Sequence, residues 1–185
     1  AAKKTINKQV YGMLINNSKI FDGKELFHTD HKNLMAKGTA PTNESIQAMI
    51  LQLKKQTDHF GEPIIIRPKK IVVPVGYGFT LAQIFKSPTI NTQAYNPLWN
   101  AGFEIIEDPY INALADTNAA PWFMIAEPTD AKGIQVDYLN GNKVPTIRRM
   151  EKPGQLGFTW DIYLDWGITA VDYRGIVKNP GVKMA

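Results

Sequence analysis

The spacing of apolar and polar positions divides the chain into a short series of elements. Ile6, Val10, Met13 and Leu14 recur at i, i+4, i+7 and i+8, which predicts an amphipathic helix over residues 1–17. No Ser, Asp or Pro start signal precedes it, so the expected helix looks cut partway along its length. The pattern stops at Asn16-Asn17-Ser18, and Phe21-Asp22-Gly23 before Leu26-Phe27 predicts a tight turn that folds an apolar pair inward. Residues 28–42 are polar, contain Gly38 and Pro41, and read as loop. Ile46, Met49, Ile50, Leu53 and Phe60 then return at helical spacing behind the capping candidates Thr42 and Asn43. A second helix is expected over about residues 44–60, with Gly61 closing it in a left-handed conformation.

Beyond it the residue types change. Ile64-Ile65-Ile66 and Ile71-Val72-Val73 are β-branched runs bounded by Pro63, Pro68 and Pro74, and predict two short buried strands flanking a bend. Leu81, Ile84 and Phe85 share one face of a helix over 77–85 that Ser87-Pro88 ends, and residues 88–100 form an Asn- and Pro-rich loop. Strands are predicted at Phe103–Glu107, closed by Asp108-Pro109, and at Trp122–Ala126, closed by Glu127-Pro128. Ile134 to Leu139 fits a third strand or a short helix, and Phe158 to Val177 reads mostly as long strand. Helices and strands do not alternate regularly enough for a doubly wound sheet, and no repeat is visible; the fold class is α+β.

Composition narrows the possibilities. At 185 residues, 44% apolar and 21% charged, the chain is a globular one long enough for one domain with a real core. It has no Cys, which excludes disulfide frameworks, thiolate zinc sites and cysteine nucleophiles. The longest apolar runs fall far short of the ~18–20 residues of a membrane helix. Lys and Arg exceed Asp and Glu by only +4, a surplus that reads as small and scattered and does not announce nucleic acid.

Candidate chemistry is sparse. His28-Thr29-Asp30-His31 offers two imidazoles and a carboxylate, and a metal-dependent enzyme using His28, Asp30 and His31 is the alternative function to be weighed. A self-satisfied polar loop is the plainer reading. Glu104, Glu107 and Asp108 form one acidic cluster and Asp161 with Asp165 another, spaced as acid–base work would allow, but strand-end acids are usually solvated edge residues. Gly76-Tyr77-Gly78 precedes a helix as a phosphate cradle would, but lacks a full phosphate-binding motif and reads as a turn. Arg148-Arg149 with Lys143 and Lys152 lack the aromatic interleaving of a single-strand groove; with Arg67, Lys69 and Lys70 they fit interface rims or solvated loops. Trp99, Trp122, Trp160 and Trp166 are expected as core and interface anchors.

One segment carries more. Ile20-Phe21-Asp22-Gly23-Lys24-Glu25-Leu26-Phe27-His28-Thr29-Asp30-His31-Lys32-Asn33-Leu34 resembles the segment of Mu-like major head subunits of tailed bacteriophages, in which Asp-Gly, Leu-Phe and a His-rich turn ending Asn-Leu recur. Lys32 departs from it, where that family often has Gly. The resemblance continues through Gln56-Thr57-Asp58, Gly61, Pro68, Val72-Val73-Pro74, Ala82, Ser87, Trp166-Gly167, Asp172-Tyr173-Arg174-Gly175 and Lys178-Asn179. It implies the Hong Kong 97-type phage major capsid fold, with residues 1–20 the end of a spine helix in the peripheral domain, 21–145 the axial domain, and 146–185 the return strands of the peripheral domain. The N-terminal arm and extended loop of that family would lie upstream.

What it implies for function is a non-enzymatic structural subunit, without cofactor. Copies would self-assemble into hexamers and pentamers of an icosahedral shell enclosing DNA. Scaffold, maturation protease and decoration proteins are the further partners implied, with at most weak non-specific contact to packaged DNA and none to membrane. The implied location is the virion capsid, and the bacterial host cytoplasm during assembly. Such a protein needs complementary faces in place of a reactive pocket, and aromatics in a polar loop can supply them. Tyr95, Leu98 and Trp99 are therefore the expected subunit contacts.

Overall fold

The computed structural model describes residues 2–90, 94–115, 119–151, 153–154 and 156–183. Its elements run α1 (Ala2–Asn16), α2 (Asn43–Lys54), β1 (Pro68–Val73), α3 (Gly78–Lys86), β2 (Thr89–Ile90), β3 (Ala94–Tyr95), β4 (Glu104–Glu107), α4 (Pro109–Leu114), β5 (Trp122–Ala126), β6 (Ile134–Tyr138), a 3-10 turn (Leu139–Gly141), β7 (Thr146–Glu151), β8 (Phe158–Tyr163), β9 (Trp166–Ala170) and β10 (Ile176–Asn179). Helices and strands mix without regular alternation, an α+β arrangement. Among the described residues no helix is long and apolar enough to cross a membrane.

A four-stranded sheet in the order β10-β5-β1-β4 organises the core. β1 and β4 are parallel, joined through α3, while β5 runs antiparallel to both β1 and β10. Because side chains alternate across a strand, the sheet has two apolar faces. Ile71, Val73, Trp122, Met124 and Val177 pack with Ile46, Met49 and Leu53 of α2 and Leu81 of α3. Val72, Phe123 and Ile176 pack with Leu14 of α1, Ile111 of α4, and the Leu26-Phe27 pair. Ile71-Val72-Val73 is a continuous apolar run because β1 is covered on both sides. Each of these fully buried side chains contributes roughly 1.5–3 kcal/mol of transfer free energy. α1 and β10 thus share one core with elements from 21–145, instead of standing apart from them.

Several expectations change. α2 stops at Lys54, not near residue 60. Its start is the expected one: the Thr42 side chain accepts from Ser45 N–H, and Ser45 returns the bond to Thr42 N–H. Past Lys55 the Gln56 side chain is drawn inward to the carbonyls of His31 and Lys32, and the Asp58 carboxylate accepts from the N–H groups of Phe60 and Glu62. Gly61, at φ 87°, sits in that turn and not on a helix end, and Phe60 is exposed. Ile64–Ile66 form no strand; Ile66 is buried but Ile65 points outward. Asp108-Pro109 does not only close β4. Asp108 caps α4 by accepting from Tyr110 N–H at 2.8 Å, with Pro109 in the first turn where a missing N–H costs nothing. The segment 158–177 is three strands, not one.

Candidate subunit interface

The expected metal motif is a structural staple. His31 is 4% exposed, stacked on Tyr173 with ring centroids 4.0 Å apart. Its Nε2 lies 2.6 Å from Asp22 Oδ2 and its Nδ1 3.2 Å from the Leu26 carbonyl, so both nitrogens face oxygen atoms of the loop itself. Asp30 is held by Lys24 Nζ at 2.6 Å, and His28 Nδ1 accepts from Asp30 N–H at 3.2 Å. Burial works against the Asp22 charge, but the hydrogen bonds from His31 and from Lys24 N–H hold its carboxyl below the usual range. Among the described residues no group of three His, Asp or Glu could hold a metal ion. The metal-dependent reading of His28, Asp30 and His31 is thereby corrected: the three side chains are engaged within the loop through His28 Nδ1, Asp30 Oδ2 and both nitrogens of His31, and do not converge on one point.

Buried amides do the rest of that work. Asn33 donates to the carbonyls of Leu26 and Tyr173 and accepts from His28 N–H. Asn179 accepts from the N–H groups of Thr39 and Gly181 and donates to Thr39 Oγ1. The segment 18–42, which has no regular structure to satisfy its backbone, is satisfied by side chains from both ends of the chain.

The remaining chemical candidates also resolve into internal contacts. Gly76-Tyr77-Gly78 does cradle an anion, but it is the chain's own Glu107 carboxylate, 2.5 Å from Gly78 N–H and 3.3 Å from Gly76 N–H, at the start of α3. Glu104 pairs with Lys70 at 3.0 Å, Asp108 caps α4, and Asp161 stands opposite Arg148 in the β7–β8 pairing. Arg67 and Lys69 reach Asp130 and Glu127, so the basic stretch at 67–70 is matched in place.

The three expected contacts differ in exposure. Leu98 is 4% exposed and packs in the core cluster beneath α2. Tyr95 and Trp99 point outward, at 71% and 47% exposed. Buried Asn96 braces the loop that carries them, donating to the carbonyls of Ile84 and Ser87 and accepting from Asn43 and Leu98 N–H. Trp122 is a core anchor that donates from Nε1 to the Thr39 carbonyl, and Trp166 donates to Gln9 of α1.

A further uncovered surface is one that sequence reasoning missed. β6 pairs with β9 and β7 with β8, and a Leu139 N–H to Asp165 carbonyl bond of 3.2 Å carries the pairing between them. The result is one long antiparallel arm over 134–170. Its root rests on the body through Ile134 and Ala170, while all of β8 and nearly all of β7 are exposed. The register sets Ile147 beside Ile162, Arg149 beside Trp160 and Glu151 beside Phe158 on one face. Arg149 lies over the Phe158 ring at 3.3 Å and pairs with Glu151 at 3.6 Å, while Trp160 and Ile162 stay over 60% exposed. The basic stretch at 148–149 is therefore interleaved with aromatics after all, but across the strands. Lys152 lies outside the described residues. Trp, Arg and aliphatic side chains on a uniform exposed face are the composition of a protein–protein contact.

A family model described as phage capsid protein matches residues 1–179. Among solved structures, a chain of Mycobacterium phage Che8 is similar over 94% of this chain and 57% of its own length, with 14% identity and a TM-score of 0.49. This chain therefore spans little more than half of that one. No curated protein matches the sequence.

Proposed function

Since the chain belongs to the phage capsid protein family, we propose that it is a non-enzymatic major head subunit whose copies assemble into hexamers and pentamers of an icosahedral shell around DNA. The single observation that carries self-association is the arm. A two-stranded ribbon is at best marginally stable in water, and this one exposes Phe158, Trp160, Ile147 and Ile162 on one face. Tyr95 and Trp99, fixed over buried Leu98 and Asn96, add a second contact at the end of α3.

Within this reading residues 1–20 and 146–185 belong to the peripheral domain and 21–145 to the axial domain of a Hong Kong 97-type fold, regions that share one core through α1 and β10. The virion capsid is the place of action, following host-cytoplasm assembly, where scaffold, maturation protease and decoration proteins are the further partners.

Electron microscopy and light scattering of the purified protein at rising concentration test it. Rings, tubes or shells are expected, and Trp160→Asp should leave a folded, dispersed subunit. A wild-type protein that stays monomeric at every concentration, or a Trp160→Asp variant that assembles unchanged, sinks the reading of the arm.

A further inference from the structure

We infer that the outer flank of α1 takes the phosphate backbone of double-stranded nucleic acid. The positive surplus is not scattered, as the sequence first suggests. Lys3, Lys4, Lys8 and Lys19 supply the whole of the +4, with no Asp or Glu before Asp22, and the rest of the chain balances. Lys19 stands across an isolated bridge from Glu25, but α1 itself contains no carboxylate.

The structure fixes where this charge points. Ile6 and Leu14 are buried, which sets the rotation of the helix and leaves Lys3, Lys4 and Lys8 exposed. Lys4 and Lys8, four residues apart, lie on one side of it. Among the described residues none of the three makes an ion pair, whereas Lys24, Arg67, Lys69, Lys70, Arg149 and Arg174 each reach a carboxylate. The acids around α1 are engaged elsewhere or lie off this flank: Asp108 caps α4, Glu25 accepts from Asn17, and Asp165 lines a groove with Gln9 and Met13.

The chemistry selects the partner. Flexible ammonium groups on an exposed helix side, without an arginine among them, suit a line of charge better than a single anionic group. Duplex nucleic acid carries one negative charge per ~1.7 Å of axis and releases counterions to such lysines. The contact is sequence-independent and weak per subunit, and multiplies where many copies face one polymer. That multiplication rests on the proposed shell, whereas the contact of a single subunit is tested without it.

Fluorescence anisotropy of a labelled duplex oligonucleotide, followed from low to about 200 mM monovalent salt, tests it. Log affinity should fall linearly with log salt, and K3A/K4A/K8A should flatten that slope by about 2.7, at about 0.9 per lost phosphate contact. K54A/K55A, at the C-terminal end of α2, should leave the slope unchanged. Amine footprinting of the wild-type protein with and without duplex gives a readout free of variants, with protection expected at Lys3, Lys4 and Lys8. No binding at the lowest salt, an unchanged slope in the triple variant, an equal loss in K54A/K55A, or protection confined to other lysines would each overturn the inference.

Discussion

His31, Asn33, Gln56 and Asn179 show what single side chains do here: each is buried and each ties irregular backbone together from a distance. The segment carrying the family resemblance was legible in the sequence as a motif, but its chemistry was not. A His-Thr-Asp-His run has the same letters whether its nitrogens face a metal or a carboxylate nine residues away, and only the fold decides. Glycines were similarly opaque. Gly181, at φ 73°, packs so tightly that a Cβ would overlap the Ala120 carbonyl, while Gly102, at φ 71°, faces open space. Gly102→Ala should therefore cost only the backbone strain, ~1 kcal/mol, and Gly181→Ala several-fold more, read from urea unfolding. Asp130 supplies the pH dependence. Arg67 grips it with Nε and Nη2 at 2.9 and 2.8 Å, and these bonds hold its carboxyl at about 2, below its ordinary 3.8. A carboxyl lowered on folding stabilises wherever it is ionised in both states. The stability gap between wild type and Asp130→Asn should thus be constant above about pH 4 and close as pH falls through about 2, in unfolding midpoints measured at stepped pH.

Elements buried on a clear period were legible, and those whose boundaries depend on side-chain capture were not. α2 was read from Ile46, Met49 and Leu53, but Phe60 extended the helical spacing by chance while Gln56 and Asp58 had already turned the chain. α4 was missed because Asp-Pro serves equally as a strand stop and a helix start. The arm was missed although Phe158, Trp160 and Ile162 alternate as a half-buried strand should, because nothing local tells a face covered by its own chain from one left for a neighbour. Of the expected contacts, Leu98 went inward because Asn96 pins the loop under α3, leaving Tyr95 and Trp99 outside. The arm's amides give an element-scale test. In dispersed subunits β7–β8 should exchange hydrogen much faster than β1 and β5, and in assembled material it should slow to approach them. Equal, slow exchange in both states would mean that the ribbon needs no neighbour.

At the scale of the molecule, the layered core follows from two adjacent apolar runs, Ile71–Val73 and Trp122–Ala126, that must each be covered on both sides. Their covering helices come from α1 and α4 on one face and α2 and α3 on the other, which no count of elements could have assigned. The strand β10 sets the timing. It pairs with β5 and puts Ile176 beneath α1, so two elements far apart in sequence must meet before the core is complete. Pairings of such high separation form late in folding, and the step that completes the body is also the one that brings both roots of the sticky ribbon home. Folding itself therefore delays stickiness: the ribbon is held out for a neighbour only once the sheet beneath it has closed.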